Sequence, residues 1–451
     1  MTGGDAGHLR RMNLDRVLSV VIDQRASFTR AELMKATGLS APTVGSLVSH
    51  LIRSGLVRDL GAGPSRVGRR PSFMEFNARH GCIAGIDLGP TRTRLAVADL
   101  RGEPLAHRIV ATPSGEPRAV LSRLAREVRG LVRQAGVPAD RLVAVGAGAP
   151  GWVDCDRGIV VFAPNLDGWS RVPMAEMLEQ SLGAVVLVEN DVNLAVLGEH
   201  WRGAARGHDN CAFIFVGTGI GAGILIGGQL HRGRHFMAGE IAVMCMGPQY
   251  VDQDFGQRGC LETLAGLHAL AARWGTAHGD PARWMTDLFA AAEAGDARAR
   301  RAIEETATLI GIAAANVGAV VDPSIVILGG ALFAKAEPLV EEVRKVVTRI
   351  ARAPLEIVVS ALGKEAPLAG SLLVAATEAR RQVRLRLREE RLAGGSPSSG
   401  GTRRRVPPGT PRPRVGSESR RTSLSRGALQ SRPPETPRPR VGSESRREGS
   451  R

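Results

Sequence analysis

Apolar residues recur at helical spacing through the first sixty positions. Leu14, Val17, Leu18, Val21 and Ile22 fall on one face and predict a first helix. Thr29 followed three residues later by Glu32 has the form of a capping box and predicts the start of a second helix. Gly38 ends that helix, because a residue without a β-carbon enters the left-handed conformation easily. Ser40 opens a third helix, with Pro42 tolerated in its first turn, Val44, Leu47, Val48, Leu51 and Ile52 as its buried stripe, and Gly55 as its end. The pattern then changes to two short runs, Leu56–Leu60 and Ser72–Phe76, around the turn-rich GAGPSRVGRRP, which predicts a hairpin. Three helices and a hairpin predict a winged helix-turn-helix over 12–78, preceded by a flexible N-terminal stretch, 1–11.

From Cys82 the chain alternates short buried runs with amphipathic ones. Strands are predicted at Ile83–Leu88, Arg94–Asp99, Leu142–Gly146, Val185–Glu189, Ala212–Val216, Gly223–Ile226 and Ile325–Leu328. Helices are predicted at Pro117–Ala135, Pro173–Leu182, Asn193–Glu199, Leu261–Trp274, Ala297–Val320 and Glu337–Ile350. This is an α/β pattern, assigned to one domain over 82–390. Residues 394–451 are Gly/Ser/Pro/Arg-rich and repeat TPRPRVGSESRR at Thr410–Arg421 and Thr436–Arg447. So few apolar residues cannot offset the entropy of ordering, and a disordered basic tail is expected.

Charge divides the chain in the same way. The net charge of +16 comes from +6 over residues 1–80 and +10 over 394–451, leaving 81–393 neutral. Basic ends around a neutral middle point to a polyanion partner and a small-molecule domain. The five cysteines, Cys82, Cys155, Cys211, Cys245 and Cys260, are scattered, which suits a reducing compartment better than a disulfide framework. No run of about 18 uncharged apolar residues occurs, and the N-terminus has no apolar signal core. A cytoplasmic protein without a membrane partner is therefore expected.

A helix-turn-helix offers its last helix to the major groove, where each base pair shows a distinct donor and acceptor pattern. Positions expected to be exposed on that helix are Ala41, Thr43, Gly45, Ser46, Ser49 and His50. Of these, Thr43, Ser46, Ser49 and His50 can hydrogen-bond to bases or phosphates. Arg66, Arg69 and Arg70 at the hairpin tip suit phosphates or a narrow minor groove.

Four segments of the middle domain carry candidate chemistry. Gly85–Val97 predicts a strand, a tight turn and a returning strand, with Asp87, Gly89 and Thr91 at a phosphate-binding hairpin. Val216–Gly223 is a second such turn, containing Gly217, Thr218, Gly219 and Gly221. Glycines let backbone N–H groups approach phosphate oxygens unobstructed. Val188–Asn193 is a polar cluster at a strand end. Ile325–Ala331 runs a strand into Gly329 and Gly330, which could face an adenosine.

In this order these segments resemble the actin-like sugar kinases, specifically the ROK (repressor, open reading frame, kinase) family, from Cys82 to about Arg380. Gly148–Asp154, Ala163–Leu166 and Arg258–Glu262 strengthen the likeness. The N-terminal stretch is similar to the first domain of ROK repressors in Asn13–Leu18, Ser27–Leu33, Thr37–Ser40, Pro42–Val44, Ser54–Val57 and Gly68–Pro71. The resemblance implies a two-lobed, ribonuclease H-like fold. It implies Asp191 as general base wherever the kinase reaction runs, and a sugar pocket lined by Gly151, Asn165, Asn190, Asp191, Glu240 and Glu262. It makes ATP a candidate ligand but not a required cofactor. Val243, Gln253 and Phe255 stand where the family has one His and two Cys of a structural zinc site, and Cys260 alone remains of the four ligands. Zinc is therefore expected to be absent. Pro90 stands where family kinases have a second glycine in the first phosphate loop, and it brings no N–H donor. These departures favour a sensor: a sugar-responsive regulator, expected to be a repressor of carbohydrate-metabolism genes. It would bind operator DNA and a sugar or sugar phosphate as a homodimer or homotetramer. The alternative is an ATP-dependent, glucokinase-like sugar kinase with an attached DNA-binding domain. Which sugar, which operator, repression or activation, residual kinase activity and the part the tail plays stay open.

Overall fold

The computed structural model describes residues 3–62, 72–217, 219–276, 281–333 and 336–392. The hairpin tip with Arg66, Arg69 and Arg70, Thr218 in the second glycine-rich turn, and the segment 394–451 lie outside the described residues.

The N-terminal module runs α1 (Gly3–Asp23), β1 (Phe28–Thr29), α2 (Arg30–Thr37), α3 (Ala41–Arg53), β2 (Val57–Ala62) and β3 (Ser72–Phe76), with its strands in the order β1-β3-β2. The capping box forms as expected: the Glu32 amide donates to Thr29 Oγ1, and the Thr29 amide donates to Glu32 Oε2 at 2.7 Å. Gly38 closes α2 at φ 66°. α1 takes in most of the stretch assigned above to a flexible N-terminus. Ala6, Leu9, Arg10 and Arg11 are good helix formers with no proline among them, so the helix extends backwards, although Leu9 and Met12 are exposed and Leu14 is the first buried side chain among the described residues. β1 is two residues long, too short to leave a periodic signal in the sequence.

The first lobe consists of β4 (Cys82–Leu88), β5 (Arg92–Asp99), β6 (Pro104–Ala111), α4 (Pro117–Gln134), β7 (Leu142–Ala149), β8 (Trp152–Asp154), β9 (Ile159–Phe162), β10 (Ser170–Val172), α5 (Met174–Leu182) and β11 (Val185–Asn190). After α6 (Asp191–Arg202) the second lobe contains β12 (Cys211–Val216), β13 (Ile220–Ile226), β14 (Gln229–Leu230), α7 (Cys260–Ala265), α8 (Leu267–Trp274), α9 (Pro281–Glu293), α10 (Ala297–Val321), β15 (Ile325–Gly329), α11 (Glu337–Ile350) and β16 (Glu356–Val359). The last helix, α12 (Ala366–Leu392), returns to the first lobe.

The two large sheets repeat one design. Their orders are β6-β5-β4-β7-β11 and β14-β13-β12-β15-β16; in each, the first three strands are antiparallel and the last two join in parallel. This duplicated arrangement is the expected actin-like, ribonuclease H-like fold. β8, β9 and β10 form a small separate sheet. Along β4, Cys82, Ala84, Ile86 and Leu88 pack toward α4 and α5, while Ile83 packs toward α12. Both faces are covered, so the strand reads as a continuous apolar run. α10 is long and apolar enough to suit a membrane span, but Ile303, Ala307, Ile310 and Ala314 on it are buried in the core of the second lobe.

The helix expected over Leu261–Trp274 is instead two helices. Gly266 between α7 and α8 is extended, at φ −67° and ψ 170°, and glycine is poorly held in a helix interior. α6 and α12 follow the last strands of the two lobes and cross backbone against backbone. A β-carbon on Gly198 would run into the carbonyl of Ala366, and one on Gly370 into that of Leu194. Beyond this crossing, Ala375, Ala379, Val383 and Leu387 of α12 share one core with Leu14, Leu18 and Val21 of α1.

Candidate functional site

The site is built where β11 turns into α6. Asn190 caps the helix: its Oδ1 accepts from the amides of Val192 (2.9 Å) and Asn193 (3.0 Å). Its Nδ2 donates to the carbonyl of Gly151 at 2.9 Å. Gly151 lies at the β7–β8 corner with φ 82°, where a β-carbon would also strike the carbonyl of Phe162. Asp191 follows as the first residue of α6 and accepts from the Val192 amide at 2.9 Å. A helix N-terminus favours an ionised carboxylate. Asp191 is half-buried, yet lost hydration of its carboxyl outweighs this preference and, with the charges of Asp87 and Glu240 adding, pushes it up to about 7. Burial also raises Asp87, at the end of β4, to about 6, against the pull of the Arg94 guanidinium 3.4 Å away. A carboxyl titrating near neutral pH has the chemistry to exchange a proton with a neighbouring hydroxyl.

Two further acids come from the second lobe. Glu240 precedes a short 3-10 turn, Ile241–Val243, and Glu262 lies in α7. Burial raises both carboxyls, and for Glu240 the charge of Glu262 adds to the effect. Acids and an amide drawn from several elements offer the paired acceptors and donors that vicinal sugar hydroxyls require. Asn165 is exposed in the turn between β9 and β10 and shares no hydrogen bond with these groups among the described residues.

On the candidate nucleotide side, the turn after β4 is closed by Thr112. Its hydroxyl donates to the Gly89 carbonyl at 2.7 Å and its amide to the Thr91 carbonyl at 2.9 Å. In the second turn the Gly217 amide donates to the Gly219 carbonyl at 2.9 Å, and the Ile220 amide to Glu262 Oε2 at 2.9 Å. Gly221 lies in β13 opposite Phe215. Gly329 and Gly330 end β15, Gly330 with φ 97° and pressed against the backbone of Val216. The Ile220 amide that ends the second turn is thus already bonded to Glu262.

The expected zinc positions do not form a donor set. Val243 is exposed, Cys260 is buried at the start of α7, and Phe255 packs edge-on against Tyr250 with ring centroids 6.0 Å apart. Valine and phenylalanine have no lone pair to give a metal, so these residues do not fit a tetrahedral zinc. On α3, Ser46 is exposed and Thr43, Gly45 and Ser49 are half-buried. His50 is not a surface residue: it is 8% exposed, one turn beyond Leu47, where α3 packs against β2.

Residues 83–378 match the model of the ROK family. The chain belongs to the ROK family. A putative xylose repressor of Caldicellulosiruptor sp. (strain Rt8B.4) is 31% identical over 357 residues, covering 76% of this chain and 89% of that protein. A glucokinase of Streptomyces coelicolor is 33% identical over 312 residues, covering 64% of this chain and 96% of its own. The crystal structure of a ROK family transcriptional regulator, described as a homologue of the E. coli MLC protein, superposes with a TM-score of 0.68 at 24% identity, over 85% of this chain and all of that one. That share is too large to come from residues 83 onward alone, so the shared fold includes part of the N-terminal module.

Within the ROK lobes the structure adds two residues that the sequence reading passes over. Glu189, beside the capping Asn190, is buried and paired at 2.6 Å with Arg232. Glu189 belongs to the polar cluster Val188–Asn193 at the end of β11. Arg232 gives no sequence signal, since it follows β14 as one arginine among many.

Proposed function

We propose that the chain is a sugar-responsive repressor of transcription acting in the cytoplasm. In this reading residues 12–78 form a winged helix-turn-helix that reads operator DNA with Thr43, Ser46 and Ser49, aided by Arg66, Arg69 and Arg70. The ROK lobes hold the effector sugar among Gly151, Asn190, Asp191, Glu240 and Glu262, with Asn165 at the edge. The observation that carries the reading is α12: one helix packs against α6, which begins at Asp191, and then shares a core with α1 of the DNA module. Occupancy of the pocket is thereby given a solid route to the head. Paired heads in a homodimer or homotetramer must match half-site spacing, and a sugar that closes the lobes would disturb that match. The names of the relatives make D-xylose the first sugar to test and D-glucose the second.

The test is titration of a labelled operator fragment, located by footprinting, with and without each sugar. Coupling of about 1–3 kcal/mol should weaken operator binding roughly 5- to 150-fold. Identical affinity with and without both sugars would sink this reading.

A second reading, a sugar kinase with a DNA-binding head, draws on the raised carboxyl of Asp191 at the helix N-terminus. Against it stand Pro90, which gives no N–H, and the Ile220 amide already taken by Glu262. A coupled assay separates the two, since turnover near about 10 per second would make the chain an enzyme of ordinary speed. Asp191→Asn should abolish any such activity and keep most of the sugar response.

A further inference from the structure

We propose that Arg232 is a positioning residue for the sugar site: reaching across from the second lobe, it holds Glu189 and through it the Asn190–Asp191 corner. The proposal rests on the sugar pocket described under the proposed function.

Beyond β14 the chain passes through Arg232 and His235 to Glu240. The loop closes on itself where the Ala238 amide donates to the Arg232 carbonyl at 3.1 Å, and it is anchored on its own lobe where the Ala222 amide of β13 donates to the Gly239 carbonyl at 2.7 Å. From this loop Arg232 Nε donates to Glu189 Oε2 at 2.6 Å, with the two side chains 12% and 6% exposed. The other oxygen, Oε1, accepts from the Asn190 amide and from Asn193 Nδ2, each at 3.0 Å. The same loop also takes hold of the opposite side of the corner. Trp152, next to Gly151, donates its indole N–H to the His235 carbonyl at 3.0 Å. Glu189 backs Asn190, Trp152 backs Gly151, and Asn190 and Gly151 are themselves joined at 2.9 Å.

A buried ion pair is a poor device for stability alone, because desolvation offsets most of its attraction unless every remaining bond is satisfied. Here each recorded bond to the Glu189 carboxylate comes either from Arg232 or from a group that shapes the start of α6. Arginine suits the task, since its planar fork fixes direction where a lysine supplies only a point charge. The loop ends in Glu240, so a sugar spanning Asp191 and Glu240 bridges two groups whose separation this ion pair already sets. Its loss should therefore alter sugar affinity more than operator affinity.

The test uses the full chain and the variants Arg232→Gln and Arg232→Lys. D-xylose and D-glucose are titrated by calorimetry, and operator fragment is titrated without sugar. Hydrogen exchange is followed over residues 188–196, also without sugar. Arg232→Gln should weaken sugar binding by about tenfold or more, as expected when a buried charge loses its partner. It should speed exchange at the Val192 and Asn193 amides, which Asn190 caps. Operator affinity, measured without sugar, should change by a smaller factor than sugar affinity. Arg232→Lys should recover part of both the affinity and the protection. Wild-type sugar affinity in Arg232→Gln overturns the proposal, and so does exchange that is unchanged over 188–196 or faster throughout the chain. If the wild type binds neither sugar, the sugar reading fails, and the exchange result alone decides whether Arg232 holds the corner. If Arg232→Gln does not fold, Arg232→Lys decides: faster exchange confined to 188–196 supports the proposal, and wild-type exchange overturns it.

Discussion

Arg384 on α12 donates a 2.7 Å hydrogen bond to Ser19 on α1. One turn back along α12, Arg380 pairs with Asp23 at 3.3 Å, so the two helices run antiparallel, side by side. This contact joins the DNA module to the effector lobes with side chains that can be removed singly. Ser19→Ala and Arg384→Ala, with the double variant, form a cycle measurable by urea unfolding. The coupling should be about 0.5–1.5 kcal/mol, the usual net worth of one hydrogen bond. A coupling indistinguishable from zero would mean the bond contributes nothing to holding the helices together.

The raised carboxyl of Asp191 predicts a pH effect of definite sign. Its carboxyl titrates near 7 in the fold and near its ordinary 3.8 when exposed. Between those values the folded chain holds a proton that the unfolded chain has lost, so this residue's contribution to stability falls as pH rises through the window. Asp191→Asn carries no charge at any pH. Its thermal midpoint should gain on the wild type from pH 5 to pH 8, with most of the gain appearing by pH 7. A difference between the two proteins that does not change with pH would show that the carboxyl is not raised.

Metal content follows from Val243, Gln253 and Phe255. Protein purified without chelators should contain no stoichiometric zinc, and a chelator should leave its unfolding midpoint unmoved. One zinc per chain by elemental analysis would contradict this.

DNA binding should separate into two kinds of variant. Arg69→Ala and Arg70→Ala should weaken binding to every sequence, and each should lower the slope of log affinity against log salt by about 0.9. Ser46→Ala should change which sequence is preferred and leave that slope alone. A Ser46→Ala protein with the wild-type sequence preference would remove Ser46 from base reading.

Glu240→Ala should weaken sugar binding and blunt the sugar response, with operator affinity in the absence of sugar preserved. If it responds to sugar like the wild type, the pocket is elsewhere.

Much of this was legible because the chain uses local signals where its elements begin and end. The Thr29–Glu32 box and Gly38 fix α2, and the buried apolar stretches mark β4, β5, β7, β11, β12, β13 and β15, whereas β6, half-exposed along its length, β14, only two residues long, and β16, half-buried at the sheet edge, leave no such run. The acid-and-amide corner was visible as a motif, since Asn190 serves at once as helix cap and pocket wall. What escaped depends on tertiary packing. α12 shows no single apolar stripe because it is covered by α6, by the first-lobe sheet and by α1 in turn. The position of His50 on α3 predicts exposure, but packing at the end of that helix buries it. Arg232 lies 43 positions from Glu189, and nothing in either local sequence announces the other.

The shared core of α1 and α12 also bears on how such proteins can be recombined. A DNA-reading head with its own closed core could be moved between effectors as a cassette. This head cannot, because Leu14, Leu18 and Val21 find part of their packing on a helix encoded more than 300 residues later. A graft of residues 1–80 onto a foreign ROK domain would expose that face. A chimera that also carried the second half of α12 would keep it covered, so heads and final helices should be exchanged as one unit.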